Sequence, residues 1–143
     1  MEKEKYIESG ILIAANELDI EPVDYAIDYR GVLKDNDISG LYDPVKNLII
    51  LNSDWLNEAN NNEILLVVFH EMRHVYQKIQ IDLLRKGSEI KVDKQKVKAW
   101  ESEFSFYTIL NKSNIKLYTD QLIEKDAIDF SKSLLNKVIV WIS

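Results

Sequence analysis

"VVFHEMRHVYQ", Val67 to Gln77, holds both histidines of this 143-residue chain. Around it Ile64, Leu65, Val67, Val68, Phe69, Met72, Val75, Tyr76 and Ile79 wrap most of a helical surface, so the spacing predicts a central, buried helix. Asn60 followed by Glu63 has the form of a capping box with asparagine in the cap position. That starts the helix at about Asn61, and the pattern carries it to about Ile79. On this apolar helix the polar residues His70, His74 and Gln77 share one strip. Burying two imidazoles without a strong partner costs stability. The strip therefore asks for a partner.

Residues 3 to 18 have helical spacing, with Ile7, Ile11, Leu12, Ala15 and Leu18 on one stripe. Pro22 breaks the pattern, and Val23 to Arg30 alternates as a half-buried strand. A second strand is expected around Ile38 to Tyr42. "DPVKN", Asp43 to Asn47, signals a turn, and "LIILN", Leu48 to Asn52, returns as a third strand. Beyond the central helix, a less regular stretch contains Gly87. Helices are then expected over about Val97 to Leu110 and Gln121 to Val138, with a break at Asn111 to Asn114. The fold class is α+β: a small antiparallel or mixed sheet packed on helices.

Composition bounds the rest. With 46% hydrophobic and 29% charged residues, 4 Gly and 2 Pro, residues 1–143 read as a single domain able to bury a core. There is no cysteine, so disulfides and thiolate chemistry are excluded and a reducing, cytoplasmic setting is expected. The run Ile11 to Ala15 is stopped by Asn16 and Glu17, and Val138 to Ile142 is only five residues long. No membrane partner is expected from either. A net charge of −6 with interspersed signs argues against nucleic acid. Lys86, Lys91, Lys94, Lys96 and Lys98 are interrupted by Glu89 and Asp93, which fits a solvated face. Trp55, Trp100 and Trp141 read as core residues.

His70 and His74 stand one helical turn apart on the same face, a spacing that lets two ring nitrogens converge on Zn²⁺ at roughly 2.0–2.1 Å. Glu71 lies about 100° further round, beside the pair. His-Glu-x-x-His on a helix suits a zinc site with the glutamate as general base. A catalytic zinc needs a third protein ligand and an open position. No third histidine exists, so the ligand is Glu or Asp, and Glu101, Glu103 and Glu124 compete for it.

This stretch resembles the active-site helix of zincin metallopeptidases, with Val67 and Val68 before the motif and Val75 and Tyr76 after it. Length and layout look like the small bacterial and phage zincins, loosely the ImmA/IrrE-like group. Arg73 departs from the superfamily pattern, which has an uncharged residue there. In the small-zincin pattern the ligand glutamate is followed by Ala three residues on and Phe six on, matched here by Glu124, Ala127, Phe130 and then Ser131. Glu101 or Glu103 is the alternative third ligand.

The resemblance implies a peptidase: zinc activates water, Glu71 takes its proton and passes it to the leaving amine, and a tyrosine, Tyr118 or Tyr107, donates to the oxyanion. It further implies a protein or peptide substrate paired with an edge strand, for which Leu48, Ile49 and Ile50 are candidates; an interior core strand is the competing reading. A carboxylate that orients a ligand histidine would be expected one turn after Glu124, but that residue is Ile128. Asp126 points to nearly the opposite side of its helix from Glu124, leaving Asp120, one turn earlier, as the candidate. The alternative function is a protein-binding module of zincin fold with a structural or vestigial metal.

Overall fold

The computed structural model describes residues 2–31, 33, 37–104 and 122–142. Among them are five helices and three strands in the order α1 (Glu2–Leu18), β1 (Asp24–Asp28), β2 (Gly40–Asp43), β3 (Leu48–Asn52), α2 (Ser53–Glu58), α3 (Asn61–Arg85), α4 (Lys94–Phe104) and α5 (Leu122–Ile142). The class is α+β, as expected. None of the described helices is long and apolar enough to cross a membrane.

Helix α3 is the centre, and its start is set by local chemistry. The Asn60 side chain accepts from the Glu63 N–H at 2.9 Å, while the Glu63 carboxylate accepts from the Asn60 N–H at 3.0 Å. This reciprocal pair satisfies two of the N–H groups that a helix start leaves open. The helix continues past the expected end at Ile79 because Gln80 and Ile81 are still buried. It stops at Gly87, whose φ of 71° suits glycine, with Gly87 N–H bonded to Leu84 O and Ser88 N–H to Leu83 O. Six buried residues of the chain's first helix, Ile7, Gly10, Ile11, Ala14, Ala15 and Leu18, form the stripe that packs into the main core. A Cβ at Gly10 would lie 3.0 Å from Val68 Cγ1 and 3.3 Å from Leu65 Cδ2, so α1 sits close on α3.

The sheet order is β1-β3-β2, with β1 parallel and β2 antiparallel to β3. The sheet is therefore mixed. β3 has the expected bounds, and its Ile49 and Leu51 are fully buried. β1 and β2 are shorter than or offset from the expected Val23–Arg30 and Ile38–Tyr42. At the turn, Asp43 Oδ1 accepts from the N–H groups of Val45 and Lys46, and Asn47 takes a φ of 51°, a left-handed conformation that asparagine tolerates. Gly40 lies where a Cβ would come within 2.9 Å of Val67 Cγ1 and 3.0 Å of Leu51 Cδ2. Its absence lets β2 press against α3 one turn before His70.

Helix α2 was not expected. It forms because the Asn52 side chain accepts from the N–H groups of Asp54 and Trp55. Helix α4 begins at Lys94, ahead of the expected Val97. The expected segment up to Leu110 and the break at Asn111–Asn114 lie partly or wholly outside the described residues. Trp100 is fully buried with Ile81, Val97 and Ile123 in a second apolar cluster, under the junction of α3, α4 and α5.

Candidate metal centre

Helix α3 presents His70 and His74 from successive turns, with ring centroids 4.9 Å apart and planes at 75°. The first turn of α5 brings Glu124 between them. Its Oε2 lies 3.1 Å from His70 Nε2 and its Oε1 lies 2.7 Å from His74 Nε2. Ala127, fully buried one turn on, leaves room for α5 to approach α3. Glu71 is buried, with Oε2 4.0 Å from His70 Nε2. His70, Glu71 and His74 offer ligand atoms within 4.8 Å of one another, a group that could hold a metal ion.

The electrostatics favour a charged carboxylate. Burial alone raises the pKa of Glu124, but the His70 and His74 rings beside it outweigh burial and hold the group well below the usual carboxylate range. Glu124 Oε1 is buried and receives no hydrogen bond, although His74 Nε2 is 2.7 Å away. A buried carboxylate oxygen without a donor is costly, and a cation held between these atoms removes that cost. Two imidazole nitrogens and one carboxylate are also the donor set of a three-ligand catalytic zinc. The residues fit the group.

The other candidates fall elsewhere. Glu101 accepts from Arg85 Nε at 2.6 Å on the exposed side of α4. Glu103 accepts from the N–H groups of Leu122 and Ile123 at 3.1 and 2.7 Å, so it caps the start of α5. Neither carboxylate is at the histidines; Glu103 instead anchors the turn that carries Glu124. Leu48, Ile49 and Ile50 belong to the interior strand, paired on both sides, so β3 offers no free edge for a peptide and that expectation is corrected. The edge beside the site belongs to β2. Tyr107, Tyr118 and Asp120 lie outside the described residues.

Asp126 reverses an expectation. It does lie on the far flank of α5 from Glu124, yet Arg73 and Gln77 of α3 are long enough to reach it. Arg73 donates through Nε and Nη2 to its two oxygens at 2.7 and 3.1 Å, and Gln77 Nε2 donates to Oδ2 at 2.8 Å. Gln77 Nε2 also donates to Ile123 O at 3.0 Å, and its Oε1 meets His74 Nδ1 at 2.8 Å. Arg73 is thus part of the site's support. Its guanidinium carbon stands 4.7 Å from the Tyr76 ring centre and 5.1 Å from that of Phe130. Burial raises the pKa of Asp126, but the Arg73 hydrogen bond and charge, Gln77 and Lys96 bring it below its ordinary value. The signal for Gln77 was in the sequence, one turn beyond His74 on the polar strip.

A cleft of about 300 Å³ opens against His70 and Glu71, bounded by Ser39 and Gly40 on the sheet side and Ile128 and Lys132 on α5. Fold and site together give an α+β protein with two histidines and two carboxylates gathered in a group that could hold a metal ion. No family model matches the chain, and neither a curated protein nor a solved structure was found to match it.

Proposed function

We propose that the protein is a small zincin-like peptidase that hydrolyses peptide bonds with one zinc ion held by His70, His74 and Glu124. The observation that carries this reading is the approach of one buried carboxylate to both Nε2 atoms, with Glu71 alongside in an open cleft. Bound zinc would supply Lewis acidity, lowering the pKa of a water and polarising a peptide carbonyl.

The chain's own residues account for the remaining steps. Glu71 takes a proton from the water as its oxygen adds to the carbonyl carbon. As the C–N bond breaks, Glu71 delivers that proton to the departing nitrogen, leaving a carboxylic acid and a free amine, between which the water's second proton then passes through solvent. An extended substrate can add its backbone to the edge strand β2, which borders the cleft at Gly40. Ile128 and Val67 give that cleft apolar walls.

The test uses purified wild-type protein and Glu71→Gln. Zinc is measured by elemental analysis, and cleavage of unstructured protein substrates is followed in both. Zinc is expected in both proteins, with cleavage slowed roughly 10²- to 10⁴-fold by the substitution. Equal cleavage by both overturns the role of Glu71. Tight zinc binding with no cleavage by either favours a protein-binding role.

A further inference from the structure

The geometry points to Gln77, Asp126 and Arg73 as positioning residues that fix the tautomer of His74, so that its Nε2 lone pair faces Glu124. This rests on the reading of His74 as a metal ligand.

The argument follows hydrogen-bond direction. The Gln77 amide has two N–H donors, and both have acceptors: Ile123 O at 3.0 Å and Asp126 Oδ2 at 2.8 Å. Turning the amide over would set its oxygen against a carbonyl and a carboxylate, three acceptors with no proton among them. The amide oxygen is therefore held toward His74 Nδ1 at 2.8 Å. An amide oxygen only accepts, so Nδ1 carries the proton. A neutral imidazole carries one proton, and Nε2 is left as a lone pair aimed at Glu124 Oε1, 2.7 Å away.

The far end of the chain cannot reverse. Arg73 only donates, and it grips both oxygens of Asp126 at 2.7 and 3.1 Å. Tyr76, Phe130 and Trp100 surround the guanidinium at 4.7, 5.1 and 5.8 Å from their ring centres, which keeps it in place. Each bond in the series Arg73, Asp126, Gln77, His74 thus has one allowed direction, set by the group that cannot lose its protons. No carboxylate touches the His74 Nδ1 among the described contacts; Gln77 stands between the ring and Asp126. Among the described residues His70 has no comparable chain, and it serves as an internal reference.

The test follows zinc affinity and ring protonation together in the zinc-loaded full chain labelled with ¹⁵N-histidine. Proton–nitrogen correlation spectra identify which ring nitrogen bears hydrogen, and chelator competition gives the affinity. In the wild type, His74 is expected to carry Nδ1–H with Nε2 metallated. Gln77→Leu is expected to weaken zinc binding roughly 10- to 100-fold and to speed solvent exchange of the His74 Nδ1 proton, with the His70 signals unmoved. Should Gln77→Leu fail to fold, Asp126→Asn at the rim gives the same readouts with a smaller change. Metallation of His74 through Nδ1, or zinc affinity in folded Gln77→Leu within about twofold of wild type, overturns the relay. Zinc bound as described with no cleavage of any substrate leaves the relay standing and counts only against the peptidase reading. No zinc bound by the wild type overturns both.

Discussion

Helix α3 meets α1 and α5 by different chemistry. Toward α1 the contact among the described residues is apolar: Val68 and Leu65 close on Gly10 so tightly that an added methyl group would push them aside by a few tenths of an ångström. Toward α5, apolar burial of Ile123, Ala127 and Leu134 is joined by charge and hydrogen bonds, with His70 and His74 on Glu124 and with Arg73 and Gln77 on Asp126. Apolar contact is non-directional and scales with buried area, whereas each polar contact fixes particular atoms. Both sides therefore hold the fold together through buried apolar residues, and the second also holds a geometry. Stability and metal binding should separate along that line.

Substitutions at the two sides sharpen or break this contrast. The largest effect is expected in the centre: Glu124→Ala removes the acidic donor, and zinc retention after desalting should be lost while helix content by circular dichroism is kept. Helix loss in that variant would mean that the polar contacts toward α5, and not its apolar residues alone, carry the fold. On the α1 side, Leu65→Ala should cost about 2–5 kcal/mol in denaturant unfolding, with zinc affinity of the folded fraction unchanged. Glu103→Ala removes the cap on α5 and is expected to cost about 1 kcal/mol, with a measurable loss of zinc affinity because the turn bearing Glu124 loosens. The half-exposed pair Lys78 and Asp82, 2.6 Å apart on the outer surface of α3, should matter least. Lys78→Ala should shift stability by less than about 0.5 kcal/mol and leave zinc binding alone.

Much of the frame could be read from residue patterns because the deciding forces are local. The Asn60–Glu63 cap, the apolar wrapping of α3 and the turn leading into the apolar run of β3 depend on neighbours a few positions away, and the structure has all three. The motif put His70, Glu71 and His74 on one helix, and Glu124 stands beside the rings as the resemblance implied. The misses share a cause in distance. Strand order is a property of space, and the parallel pairing of β1 with β3 turns "LIILN" into an interior strand and leaves β2 at the edge. A helical wheel for α5 separates Glu124 from Asp126 correctly, but it says nothing of an arginine and a glutamine on another helix that reach round to the second flank. Helix α2 is six residues long and depends on one asparagine cap, too small a pattern to stand out by spacing.

Zinc K-edge X-ray absorption of the zinc-loaded full chain, read with its metal stoichiometry, bears on the centre most directly. One zinc per chain is expected, with the scattering of two imidazole rings and with oxygen as the remaining neighbours. A protein that takes up no stoichiometric zinc, or zinc whose shell lacks the two rings, would contradict a centre built from His70, His74 and Glu124.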